Sequence, residues 1–102
     1  MKDDPNILVS IIICSYNREK FIVEAMESLI NQDFDQDSFE VLIVDNNSVD
    51  QTYAVCRQYI EAHPTFHIYY FNEPNQGSSF ARNTGALKAR GKVLIFMDDD
   101  AQ

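Results

Sequence analysis

Asp98, Asp99 and Asp100 follow directly on the apolar run Val93 to Met97. In an extended backbone, Asp98 and Asp100 point to one side and Asp99 to the other, because side chains alternate along a strand. Two carboxylates facing one site suit a hard divalent cation, Mn²⁺ or Mg²⁺, which takes oxygen ligands and keeps positions open for phosphate oxygens. Like charges at the end of a buried strand repel one another unless a cation intervenes. The competing reading is an acidic end simply held in water.

Three further groups carry possible chemistry. Cys14-Ser15-Tyr16-Asn17-Arg18 leaves another apolar run, and the Tyr16 ring offers a flat face for stacking on a nucleobase or, in the plainer reading, a cover for the core. Asp45-Asn46-Asn47-Ser48 places one carboxylate where it can accept a hydrogen bond from a base or ribose. Its asparagines suit a tight turn, and such turns often only cap the next helix. Arg82, within Gly77 to Gly85, presents a planar fork to phosphate or to a neighbouring acid. His63 and His67 are separated by a helix-breaking Pro64 and read as structural. Cys14 reads as a small core residue, without a histidine partner that would make it a nucleophile. No GxGxxG or GxxxxGK[ST] loop is present, which disfavours dinucleotide-binding and Walker-type classes.

These residues need elements to position them. Ile7 to Cys14 is β-branched and almost wholly apolar, as a strand covered on both faces is. Apolar residues at Phe21, Ile22, Ala25, Met26, Leu29 and Ile30 mark an amphipathic helix over Lys20 to Gln32. Phe39 to Val44 is a second strand, ending at Asp45. Ser48 with Gln51 forms a capping-box pattern before a helix buried through Val55, Cys56, Tyr59 and Ile60 and stopped near Pro64. Phe66 to Phe71 is a third strand and Asn72 to Gly77 a turn. Ser78 or Ser79 then caps a helix whose inward residues are Phe80, Ala81, Thr84 and Leu87, with Gly91 as its left-handed stop. Lys92 to Met97 is the fourth strand. This alternation predicts an α/β fold with an open, mostly parallel sheet and right-handed crossovers. In such sheets ligands bind beyond the carboxyl ends of the strands, where the strand order reverses.

The chain has 102 residues, 45% of them hydrophobic, which fits a single domain, 1–102. Its formal charge of −8 and pI near 4.4 argue against nucleic-acid or anionic-membrane binding. No secretory pattern opens the sequence, and the two cysteines lack CxxC spacing, so a reducing, cytoplasmic setting is expected. The longest apolar run, Ile7 to Cys14, is far short of the roughly 20 residues a membrane helix needs.

In order and spacing, Val9 to Arg18, Val44 to Asp50, Gly77 to Gly85 and Phe96 to Asp100 closely resemble the family 2 glycosyltransferases of the GT-A fold, across the whole chain. The resemblance implies the nucleotide-diphospho-sugar-binding half of that Rossmann-like fold, cut off after its fourth strand. It implies nucleotide contacts from Ser15, Tyr16, Asn17, Asp45, Arg82, Asp98 and Asp99, with Tyr16 near the base and Asp45 bonded to it. Asp98 and Asp100 match the family's Asp-x-Asp metal motif, implying Mn²⁺ or Mg²⁺ as Lewis acid on the departing diphosphate. The implied partners are a UDP-sugar donor and a glycan or lipid acceptor, in polysaccharide biosynthesis, and the implied reaction inverts at the sugar. No catalytic base is assigned here; in the family that carboxylate lies further on, beyond residue 102. Asn46 and Asn47 stand where many members have an acid and a glycine, and Ala101 where many have another acid. Two other classes compete: a non-catalytic association module using the uncovered strand edge for homo-oligomers, and a receiver-type phosphoacceptor. The receiver class wants an acidic pair near the first strand, which Cys14 to Asn17 does not supply.

Overall fold

A computed structural model describes residues 7–16, 19–32, 35–49 and 51–98, with the backbone alone at Glu19, Ser78 and Asp98. The apolar runs form strands β1 (Val9–Ser15), β2 (Phe39–Asp45), β3 (Ile68–Asn72) and β4 (Val93–Asp98). Helices α1 (Glu19–Ile30), α2 (Thr52–Ala62) and α3 (Ser78–Lys88) join them in turn. All pairings are parallel, in the order β3-β2-β1-β4. The expected open α/β sheet is therefore observed, and its order reverses between β1 and β4.

Burial on both faces explains why β1 and β2 are almost uninterruptedly apolar. Ile11, Ile13, Val41 and Ile43 meet Ile22, Met26 and Cys56 on the side of α1 and α2. Ile12, Leu42 and Val44 face Ala81 and Ala89 on the side of α3. The inward stripes expected for α1 and α2 are the ones observed, with Ile22, Met26 and Cys56 fully buried.

The expectation for α3 holds for Ala81 and is corrected for its bulky residues. Phe80 and Leu87 are 49% and 69% exposed, whereas Ala81 and Gly85 are buried. A Cβ on Gly85 would lie 2.4 Å from Ile12 Cγ2, so the helix sits too close to the sheet for large residues. Its start is Gly77 at φ 128° rather than Ser78 or Ser79, and its C-cap is Ala89 in an extended conformation. Gly91 is not a left-handed stop either. It is needed because a Cβ there would lie 2.8 Å from the Ser10 amide nitrogen and the Val9 carbonyl carbon.

Several boundaries also differ by a residue or two, and two of them have a visible cause. Gln51, not Ser48, occupies the N-cap of α2 and makes no side-chain capping bond. The reason is that Asp45 Oδ1 already holds the Ser48 amide in a turn, at 2.9 Å. The third strand starts at Ile68 because Phe66 is drawn into a turn, its amide donating to the His63 carbonyl.

At the amino-terminal edge of the sheet lies a buried charge, Glu40, 1% exposed. Its Oε2 accepts from Ser10 Oγ (2.7 Å) and the Arg90 amide (2.7 Å), and its Oε1 from Arg90 Nε (2.9 Å). The Gly91 amide donates to Ser10 Oγ in turn, and Arg90 also reaches the Tyr69 hydroxyl. This cluster ties the α3–β4 connection to β1, β2 and β3. From it β4 runs along β1, yet Val93, Leu94, Ile95 and Phe96 remain 38–53% exposed, since no described helix covers them. No helix among the described residues is long and apolar enough to cross a membrane.

Replacing Arg90 by Leu leaves the Glu40 carboxylate with main-chain and hydroxyl donors alone. Breaking such a pair costs several kcal/mol when both ends are buried; with a partly exposed guanidinium, urea denaturation should show a loss of about 2 kcal/mol. Tyr69→Phe, which removes only an exposed bond, should lose less than about 0.5 kcal/mol. Equal stabilities for Arg90→Leu and the parent would contradict this account of Glu40.

Candidate functional site

Strand register decides which residues meet at the carboxyl edge. Ser15 pairs with Asp45, Asp45 with Asn72, and Cys14 with Asp98. The ends of β2, β1 and β4 therefore stand side by side, with the reversal of strand order between the last two. Helix α3 begins at this same edge, because it starts just after the carboxyl end of β3. Arg82 stands on its exposed side, in the second turn.

Among the residues expected to bind nucleotide, Ser15, Tyr16, Asp45 and the backbone of Asp98 are brought to this edge. Asn17, Asp99 and Asp100 lie outside the described residues, as do the side chain of Asp98 and the neighbouring Arg18 and Asp50. Tyr16 is 43% exposed. Ser15 Oγ is buried and has no hydrogen-bond partner among the described residues.

Asp45 is 1% exposed and held from two sides. Oδ1 accepts from the Ser48 amide at 2.9 Å, and Oδ2 from the Tyr70 hydroxyl at 2.5 Å. Each oxygen keeps a second lone pair with which to accept from a ligand. Burial first, then the bond to Asp45, pushes the Tyr70 phenol far above the ordinary tyrosine value. The Tyr53 ring packs edge-on against Tyr70, with centroids 5.2 Å apart.

Beyond Asp45 the chain turns through Asn47, whose φ of 64° is the left-handed conformation expected of an asparagine here. Asn46 is buried and bonded to the 73–77 segment through three side-chain bonds. Glu73, in that segment, accepts from the Thr84 hydroxyl of α3 and from the Asn75 amide; these bonds hold its carboxyl below the usual range. In the sequence Asn46 and Glu73 read only as members of strand-end turns, with no role of their own, and Tyr70 did not stand out. The signal for Tyr70 was its period-two position on the third strand, which pairs it with Asp45 only once the register is known.

Among the described residues no group of three His, Cys, Asp or Glu is placed to hold a metal. His63 is structural, its ring stacked on Tyr59. Cys14 and Cys56 are buried thiols. A shallow hollow between α2 and β3, lined by Tyr53, Arg57, Tyr69 and Tyr70, lies at the β3 edge of the sheet, away from the β1–β4 reversal. Its one cation, Arg57, already pairs with Glu61.

Residues 10–102 match the family model of glycosyl transferase family 2. The minor teichoic acid biosynthesis protein GgaB of Bacillus subtilis is 35% identical over 91 residues, covering 89% of this chain and 10% of GgaB. The mannosyltransferase PcManGT from Pyrobaculum calidifontis, solved in complex with GDP-Man and Mn²⁺, is similar with a TM-score of 0.86 at 31% identity, over 96% of this chain and 29% of that one. A TarS fragment of Staphylococcus aureus in complex with UDP gives 0.82 at 32% identity, over 92% of this chain and 28% of that one. The chain thus spans less than a third of the length of each.

The Tyr70 bond has an alkaline signature. A raised folded-state value means that its stabilisation is complete below the ordinary tyrosine value of about 10 and is lost as pH climbs above it. Near pH 11, the folded protein should show less phenolate absorbance than its five tyrosines would give. Urea should restore the full signal. Tyr70→Phe should leave the folded-state absorbance unchanged; a drop of one tyrosine's worth would show that Tyr70 was ionising freely.

Proposed function

The chain belongs to glycosyl transferase family 2 and shares the GT-A fold of its structural neighbours, and from that premise we propose that it forms the donor-binding part of an inverting, metal-dependent transferase using a UDP-sugar. The observation that carries this reading is the reversal of strand order between β1 and β4, which sets Ser15 and Tyr16 beside the strand that ends in Asp98. Tyr16 would stack on the base, Asp45 accept from base or ribose, and Arg82 approach the nucleotide from α3. Asp98 and Asp100 would hold the metal.

Charge supports the metal. A diphosphate approaching a chain of net charge −8 meets repulsion unless a cation lies between them. The donor set fits: carboxylate oxygens at a strand end suit Mn²⁺ or Mg²⁺, and PcManGT was solved with Mn²⁺ beside a nucleotide sugar. When bound, the ion would neutralise charge growing on the leaving diphosphate. The residues of this chain position and orient the donor; none of them is assigned as the base that deprotonates the acceptor hydroxyl, and the acceptor proposed is a glycan or lipid.

A second reading rests on the apolar side chains of β4, exposed on both faces of the sheet. In it, this edge associates with another copy. Sedimentation velocity should then show a dimer that Ile95→Lys converts to monomer; a monomeric parent chain disposes of it.

Calorimetric titration should show UDP binding that requires Mn²⁺ and exceeds the binding of GDP. Asp100→Ala should weaken it by more than about tenfold, the scale on which even indirect partners of a metal alter its affinity. Equal binding by Asp100→Ala would remove the metal assignment, and equal binding of GDP the preference for uridine.

A further inference from the structure

Asn46 is chemically matched to what surrounds it. Its Nδ2 donates to the carbonyl oxygens of Glu73 (3.1 Å) and Asn75 (2.7 Å), while its Oδ1 accepts from the Gly77 amide (2.8 Å). Its main chain adds two more ties: the carbonyl accepts from Gln76 Nε2 (2.7 Å), and the amide donates to the Ser15 carbonyl (2.8 Å). A side chain facing two carbonyls and one amide must donate twice and accept once. A carboxamide does this; an isosteric carboxylate has only acceptors and would point an oxygen at each carbonyl.

The segment it grips carries the functional consequence. Residues 73–77 link the end of β3 to α3, and Gly77, the N-cap of α3, sits at φ 128°, where side-chain-bearing residues are strained. Glu73 extends the grip into α3 through the Thr84 hydroxyl, and its own amide donates to the Asp45 carbonyl at 2.8 Å. One buried amide thus holds together the ends of β1 and β2 and the start of the helix that bears Arg82.

We propose that Asn46 is a positioning residue of the donor site: its carboxamide latches residues 73–77, and with them the start of α3, onto the end of β2, so that an amide and not an acid is required at this position. The nucleotide consequence rests on the donor-binding reading above; the latch itself does not.

Amide exchange followed by NMR, together with calorimetry on the same protein, separates the two. In Asn46→Asp, exchange at Gly77 should accelerate at least about tenfold, since two buried carbonyls lose their donor and face a charge. UDP affinity in the presence of Mn²⁺ should fall about tenfold, with helical content retained and the affinity for Mn²⁺ alone unchanged; general loosening would weaken both. Asn46→Ala should give the same pattern, smaller in size. Gln76→Ala, altering an exposed side chain, should speed Gly77 exchange a few-fold and decides the matter if Asn46→Asp does not fold. Unaltered Gly77 exchange in the variants overturns the latch. Faster exchange with unaltered UDP affinity, or tighter UDP binding by Asn46→Asp, overturns its positioning role. A parent protein that fails to bind UDP refutes the donor reading instead, and the exchange rates still judge the latch.

Discussion

The buried carboxylate of Glu40 constrains everything built above it. A charge 1% exposed in a sheet must find donors or forfeit its solvation, and here they come from Ser10, Arg90 and the Arg90 main chain. Arg90 begins the approach to β4, so satisfying Glu40 also fixes where β4 starts. Gly91 completes the arrangement by letting the backbone pass against Val9 and Ser10, where any Cβ would collide. The ion pair and the close approach depend on one another.

Parallel register carries that placement across the molecule. Once Val93 is set beside Val9, each later residue of β4 has a fixed partner, up to Asp98 beside Cys14. The amino edge therefore determines which residues share the carboxyl edge, several residues away. Small residues on α3 serve the same end: Ala81, Gly85 and Ala89 let the helix lie tightly over Ile12 and Leu42, which sets where its first turns stand relative to β1 and β2.

The strands, the helices of the first half and the sheet edge at which the candidate residues meet were all legible in the sequence. Apolar periodicity is strong there, because β1, β2 and α1 are packed chiefly by bulky aliphatic groups. What periodicity misread was α3, where bulk marked the exposed face and close packing selected small residues. Pattern also gave no sign of Glu40, which sits in an apolar run and meets Arg90 fifty positions later. Asn46 and Asn47 were legible as a turn. Asn47 needs only its own backbone conformation to earn that reading, whereas the bonds of Asn46 reach residues 73–77 and depend on the pairing of β2 with β3.

Among the described residues the carboxyl edge gathers two carboxylates, Asp45 and Glu73. Both are answered from within the chain, Asp45 by Tyr70 and the Ser48 amide, Glu73 by Thr84 and Asn75. Their charge is spent on holding the turn and the 73–77 segment, and hydrogen bonds keep Glu73 ionised for that work. An acid at position 46 would add a charge facing two carbonyl oxygens, with the Gly77 amide as its one donor. The amide at Asn46 avoids this, donating to both carbonyls while still accepting from the Gly77 amide.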